Sequence, residues 1–410
     1  MKRAIVLSGG GSKGSYQIGV WKALRRLGIK YDIVTGTSVG SLNGALMTQK
    51  TFLKGVWFWY NLGFKSIFKQ DLLYDYNTKE GRKAIYKEYA KAILIDKGMD
   101  PSKLEENIKK ILSENKIRKS NVDFGFVTYN LSGLKPIMIK KSEVPNGKMC
   151  DYLMASATCF PAFKKKHIGM DDYIDGGYYD VLPINLAVEM GATEIIAIDL
   201  KSIGIKHRIK DKNIKITYIS PRNNLESFLI FNKCLARRGI RLGYNDTMKT
   251  FGKLDGNKYT FKHNDISNNN AKYGSTYIKI LNNVLDDKDN NIIVQLLKKT
   301  AYKKDEQAGN LINVIDFVGH VFGIDDSFIY YINRFNKKLI QQISTIDGID
   351  EKKLENNHTR GFINSRKIIK DTYDKLMEDD SKTKKELSSM ALLLPREFLA
   401  SIYLYVITKK

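Results

Sequence analysis

Between residues 3 and 48 the chain runs twice through one pattern, a short apolar run, a glycine-bearing turn and a helical stretch. No other feature restricts the fold as much. Arg3–Leu7 reads as a buried parallel strand, and Gly9–Gly14 as a glycine-rich turn. Ser15–Leu27 then places Ile18, Val20, Trp21, Leu24 and Leu27 as a helix packed on a sheet, with Gly28 ending it. Tyr31–Val34 is the second strand, and Gly36-Thr37-Ser38-Val39-Gly40 turns into a small-residue helix over Ser41–Thr48. This order predicts a parallel sheet with covering helices. Downstream, Val122–Asn130 and Lys135–Ile139 read as paired strands, Lys148–Ala157 as a helix, and Pro183–Met190 as another. Glu194–Asp199 and Ile214–Ser220 are further core strands. Residues 52–118 read mostly as helices, with an exposed stretch at 71–81.

Three short motifs in this framework can carry chemistry. Gly9-Gly10-Gly11-Ser12-Lys13-Gly14 joins a strand to a helix, where several backbone N–H groups can converge on one anion. That anion is either a dinucleotide pyrophosphate or a developing oxyanion. Gly36-Thr37-Ser38-Val39-Gly40 is a GxSxG sequence in the strand-to-helix setting of a nucleophile elbow. Its turn exposes the Ser38 hydroxyl and frees the Val39 N–H for an oxyanion. Asp175-Gly176-Gly177 alone reads as a turn. In company with the other two motifs, it makes Asp175 the acceptor of the Ser38 proton.

Other mechanisms compete. A dinucleotide-binding oxidoreductase would use Gly9–Gly14 and needs an acid ending the second strand, but Asp32 begins that strand. A Walker A loop fails because Lys13 precedes Gly14. A Ser/His/Asp triad would draw its base from His207 or His263, neither of which has a supporting local pattern. A Ser/Asp dyad needs no histidine, and neither metal nor cofactor is expected.

The 68 basic and 44 acidic residues of the 410-residue chain leave a net charge of +24. Residues 1–250 hold +19 of it, although 151–200 are locally at −5. A basic excess favours anionic partners. Zinc-finger, RRM and KH signatures are missing, so a lipid surface is preferred over nucleic acid. A non-catalytic basic membrane-binding module is a further alternative. Three cysteines give no disulfide framework. Met390–Ile407, the most apolar long segment, is interrupted by Pro395, Arg396 and Glu397, which argues against a lipid-spanning helix. With only four apolar residues before Ser8, no signal peptide is read, and a cytoplasmic protein, peripheral to membranes, is expected. Trp57-Phe58-Trp59-Tyr60 reads first as core packing and second as an interfacial aromatic patch.

Together the three motifs resemble the patatin-like phospholipase family, and Ala155–Phe163 resembles that family's segment before its catalytic Asp. The resemblance covers about residues 1–250 and implies a three-layer α/β/α sandwich with a mostly parallel sheet. It implies a lipid acyl hydrolase in which Ser38 is the nucleophile and Asp175 the general base. The oxyanion hole is then formed by backbone amides of the Gly9–Gly14 loop, first Gly10 and Gly11 and then Gly9 and Gly14, with Val39. Lys13 stands where the family often has Arg, keeping the charge but not the planar fork, and is a candidate for a head-group phosphate. The implied substrate is a phospholipid or another fatty-acyl ester at an anionic membrane surface. Residues 251–410 match nothing in that family and read as a helical accessory region, with the polar, Asn-rich stretch Asp265–Asn270 near its start as a boundary.

Overall fold

The computed structural model describes residues 2–68, 74–76, 78–285, 311–346, 360–378 and 381–409. Of the stretch 71–81 read as exposed, residues 71–73 and 77 lie outside the described residues. The chain divides into two compact units, Met1–Thr250 and Phe251–Lys410.

The first unit is built on a sheet whose centre is parallel. Strands β1 (Arg3–Leu7), β2 (Ile33–Thr37), β3 (Asp123–Asn130), β4 (Lys135–Lys140), β5 (Lys166–Ile168), β6 (Asp171–Asp175), β7 (Glu194–Ile198) and β8 (Lys215–Ile219) follow in chain order. Across the sheet they run β5-β6-β3-β2-β1-β7-β8, with β4 also on β3. The pairs β1–β2, β1–β7, β2–β3 and β7–β8 are parallel, while β4, β5 and β6 pair antiparallel. Ala4–Leu7 and all of β2 are buried. Burial of successive residues, which point to alternate faces, marks strands covered on both faces.

Nine helices are described in this unit: α1 (Ser15–Arg26), α2 (Val39–Thr48), α3 (Phe52–Asn61), α4 (Lys79–Asp96), α5 (Ser102–Ile111), α6 (Glu114–Lys119), α7 (Met149–Ser156), α8 (Ile184–Glu189) and α9 (Lys233–Thr250). With these helices flanking a mostly parallel sheet, the α/β/α architecture expected from the motifs is present. The second strand starts later than the sequence suggested, at Ile33, because Asp32 is held outside it: its carboxylate accepts the Arg3 N–H at 2.9 Å.

The second unit is mostly helical. Helices at Asp265–Val284, Ile312–Val321, Ile332–Ile343, Arg360–Glu378 and Ser381–Leu393 pack with a three-stranded sheet and the buried helix Pro395–Thr408. That last helix contains most of the apolar Met390–Ile407 segment, whose Phe398, Ile402 and Tyr403 sit in the core of this unit. No helix among the described residues is long and apolar enough to cross a membrane.

Asp265–Asn270, whose polarity suggests a boundary, forms the first turns of a helix. Its polar groups are used inside the unit. Asp265 accepts the Ile332 N–H at 2.8 Å, and Asn269 accepts from the Asn336 amide at 3.0 Å. Polar groups that find partners in this way belong to a packed unit.

Candidate active site

The GxSxG segment forms a sharp strand-to-helix turn. β2 ends at Thr37 and α2 begins at Val39, leaving Ser38 alone between them at φ 56°, ψ −129°. A side-chain-bearing residue in that region is strained by roughly 1–3 kcal/mol and persists only when its surroundings impose it. The surroundings here are backbone. A Cβ on Gly36 would lie 2.3 Å from the Gly40 carbonyl oxygen, and one on Gly40 would lie 2.3 Å from that of Leu7. Only glycine fits at either flank. The Ser38 N–H donates to the Ser156 hydroxyl at 3.0 Å, which in turn donates to the Val127 carbonyl at 2.6 Å. Ser41 closes the turn by donating its hydroxyl to the Ser38 carbonyl at 2.6 Å.

Sheet register brings Asp175 to this turn. Along β3, β2 pairs with residues 123–127, and Thr37 stands opposite Val127. β6 then takes over at 128–130, with Asp175 opposite Thr128. Two residues that are 137 positions apart therefore meet at neighbouring rungs of one strand. Asp175 is buried, its N–H donating to the Thr158 carbonyl at 2.8 Å. Its carboxylate accepts the Gly177 N–H at 2.8 Å. Burial pushes the Asp175 carboxyl up to about 6, while the facing Ser38 hydroxyl and the Gly177 N–H pull it partly back by stabilising the anion. The neighbouring Cys159 thiol is pushed up to about 12, first by burial and then by the Asp175 charge, so it remains protonated.

The glycine loop lies beside Ser38, since parallel β1 and β2 deliver their following turns to the same edge of the sheet. Ser12–Gly14 is not open loop but part of one helical turn, Gly11–Gly14. Among the described residues, the N–H groups of Gly10, Gly11 and Val39 find no backbone acceptor outside their own helices, and each sits where its helix begins. Gly11 adopts φ 53°, and a Cβ there would come within 2.3 Å of the Phe228 carbonyl oxygen. The loop after β8 is thus pressed onto the glycine turn, held by the Ser12 N–H donating to Phe228 at 2.9 Å. The amide expected of Gly9 is taken. The Gly9 N–H is committed to the Val181 carbonyl at 2.9 Å. Gly14 faces α2, where a Cβ would come within 2.4 Å of a Val39 methyl group.

Residues 5–188 match the family model for patatin-like phospholipase. That match covers 184 of the chain's 410 residues. Patatin-like phospholipase domain-containing protein 6 of Homo sapiens is 27% identical over 219 residues, which is 48% of this chain and 13% of that protein. Lysophospholipase NTE1 of Phaeosphaeria nodorum is 30% identical over 210 residues, covering 48% and 12%. Lysophospholipase nte1 of Aspergillus terreus is 26% identical over 316 residues, covering 68% and 18%. The chain therefore spans less than a fifth of the length of these relatives.

In the first unit, Ser38 opens onto an apolar pocket of about 40 Å³ lined by Gly11, Val39, Leu42, Phe58, Trp59 and Phe163, among others. Phe231 forms part of its wall and also lines a larger hollow of about 340 Å³ together with Phe64, Tyr76 and Leu229. Lys13 is not among the residues lining the Ser38 pocket. It lines a separate small hollow with Ser12, Trp59 and Arg238, and burial there lowers its pKa. The aromatic run divides: Phe58 and Trp59 are buried, whereas Trp57 and Tyr60 are exposed.

The histidines offered for a triad sit elsewhere. His207 packs on the Tyr179 ring at 4.5 Å, and His263 belongs to the second unit, 3.4 Å from Asp255. Asp32 lies at the start of β2, at the opposite end of the strand from the Ser38 turn, which removes the ribose-binding acid of the dinucleotide alternative.

Sequence reasoning missed a buried polar network that ties the glycine turn to α2. Gln17 donates to the Ser8 carbonyl at 2.8 Å, and Asn43 donates to Gln17 at 2.8 Å and to the Gly14 carbonyl at 3.0 Å. Trp59 completes it by donating its indole N–H to Asn43 at 2.9 Å. Each of these residues stands alone on a different helix in the sequence, so no local pattern announces them.

Proposed function

We propose that this protein is a serine lipid acyl hydrolase acting on phospholipids or other fatty-acyl esters through a Ser38/Asp175 dyad. The observation that carries the reading is the register that sets Ser38, on its strained turn, against a buried Asp175 whose carboxyl is pushed up to about 6. A base of that strength is ionised at neutral pH and accepts a proton more readily than an ordinary carboxylate.

In the first half-reaction, the Ser38 oxygen attacks the ester carbonyl while Asp175 takes the hydroxyl proton. The carbonyl oxygen becomes an oxyanion, received by the N–H groups of Gly10, Gly11 and Val39. Collapse breaks the ester bond, the leaving alcohol takes the proton from Asp175, and an acyl-Ser38 remains. Water then attacks the acyl group with Asp175 again as base, releasing the fatty acid and restoring Ser38. Because a carboxylate is a weak base for an alcohol, the oxyanion amides carry much of the rate enhancement, about 2.7–4 kcal/mol for one such donor.

The apolar lining of the pocket supports an acyl substrate, as do the printed names of the relatives, phospholipase and lysophospholipase. At about 40 Å³ the pocket must widen to admit a long chain. Lys13, set outside the pocket, is retained as a head-group contact only for the part of the substrate that projects beyond Ser38.

The test is covalent labelling by a fluorophosphonate together with fatty-acid release from a lysophospholipid. Wild-type protein should show both, and Ser38→Ala neither. Undiminished labelling or hydrolysis in Ser38→Ala, or full hydrolysis in Asp175→Asn, overturns the dyad.

A further inference from the structure

The two sides of α3 differ in what they face. Phe58 and Trp59 turn inward to the Ser38 pocket. Leu53, Trp57 and Tyr60, at helical spacings of four and three, turn outward with relative exposures of 78%, 64% and 38%. An exposed apolar stripe of this size is uncommon on a surface that meets only water.

The neighbouring helices surround this stripe with positive charge. The Arg25 guanidinium of α1 lies over the Phe52 ring at 4.7 Å, at one end of α3, and Arg237 of α9 lies over the Tyr60 ring at 5.4 Å, near the other. Lys22, Arg26, Lys54 and Lys233 are exposed on the same three helices. Together α1, α3 and α9 carry nine Lys and Arg residues and a single carboxylate, Asp246. Asp246 is buried against Lys249 and the Tyr16 hydroxyl, so it offsets none of the surface charge.

We propose that the outward face of α3, flanked by the cations of α1 and α9, is a docking surface for an anionic phospholipid bilayer. Tryptophan and tyrosine settle at the boundary between head groups and acyl chains, and Leu53 adds an aliphatic anchor. Lys and Arg beside them meet the lipid charge, each strengthening binding roughly five-fold at low salt. Docking there sets the inner side of the same helix, with Phe58 and Trp59, between the bilayer and Ser38. The choice of a bilayer as occupant rests on the lipid-hydrolase reading above, whereas binding itself is independent of catalysis.

Trp57 supplies a direct readout. Of the three tryptophans, Trp21 and Trp59 are each only 2% exposed, so a change in emission on binding reports Trp57. The full chain carrying Ser38→Ala is mixed with phosphatidylcholine vesicles with and without phosphatidylserine, at low and high salt. Binding should need phosphatidylserine, weaken with salt and shift Trp57 emission to the blue. In the same background Trp57→Ala or Leu53→Glu should weaken binding at least ten-fold, and Lys22→Glu with Arg26→Glu comparably at low salt. With Ser38 intact, Trp57→Ala should hydrolyse a short-chain soluble ester at the wild-type rate.

The proposal is overturned if these variants bind vesicles like the parent, or if vesicles bind with no change in Trp57 emission. It is also overturned if a DNA duplex, rather than a vesicle, shifts that emission. Vesicle binding through Trp57 by a chain that hydrolyses no ester would sustain the docking face and remove the hydrolase reading. Hydrolysis with no such binding would do the reverse.

Discussion

Asp175→Asn should destroy activity and, at neutral pH, stabilise the fold. The side chain is buried, and burial raises its pKa from 3.8 to about 6. In the unfolded chain the group ionises near pH 4, whereas in the folded protein it holds its proton until about pH 6. The folded state therefore binds more protons between those values, and stability falls as pH rises from about 4 to 6. At about 1.36 kcal/mol per pH unit, the full loss above pH 6 is about 3 kcal/mol. Asparagine carries no charge to desolvate, and its oxygen can keep the 2.8 Å bond from the Gly177 N–H. Denaturant titrations of both proteins at pH 4 and pH 8 measure the effect. The variant should match the wild type at pH 4 and exceed it by up to about 3 kcal/mol at pH 8. An advantage that is absent at pH 8, or equal at both pH values, refutes the assignment of this cost to the buried carboxylate. On the wild-type enzyme, kcat/KM should rise with pH through about 6, where the base ionises. An acid limb near pH 4 would show that the folded environment leaves the carboxyl unshifted.

Three further outcomes are expected. Gly11→Ala drives a Cβ into the Phe228 carbonyl and requires a positive φ, so it should lower stability by about 1–3 kcal/mol and kcat by at least ten-fold, measured by denaturation and ester hydrolysis. Phe231→Ala removes the wall shared by the 40 Å³ pocket and the 340 Å³ hollow, so the ratio of long-chain to short-chain kcat/KM should rise; an unchanged ratio would show that Phe231 does not limit the chain. Trp59→Phe keeps an aromatic ring but orphans the buried Asn43 oxygen, so it should cost about 1–3 kcal/mol in a thermal or denaturant melt.

The central fold was legible because buried parallel strands and glycine turns leave strong local marks. β1, the glycine turn, the Ser38 elbow and the end of β6 all fall where the motifs placed them. Backbone hydrogen bonding was not legible. Gly9 and Gly10 are adjacent and chemically identical, yet only the Gly9 N–H is taken, by a carbonyl 172 residues away. Polarity suggests a boundary at Asp265–Asn270, and only the tertiary partners at Ile332 and Asn336 reveal a helix start there. The run Trp57–Tyr60 reads first as core packing and second as a surface patch, and helical geometry divides its members between the two. The Gln17–Asn43–Trp59 network was invisible for the same reason as the Gly9 bond: its partners are joined by tertiary packing, which no local pattern encodes.

The handover along β3, from β2 at Val127 to β6 at Thr128, also decides what the rest of the domain is free to change. The separation of Ser38 and Asp175 is set by adjacent rungs of one strand and not by the 137 positions between them in the chain. Insertions or deletions in the helices and loops between them can reshape the apolar pocket and the outer surface without moving the pair. A one-residue slip of β6, by contrast, would turn Asp175 to the other side of the sheet. Diversification of such a domain is thus permitted nearly everywhere except in the hydrogen bonds of three strands.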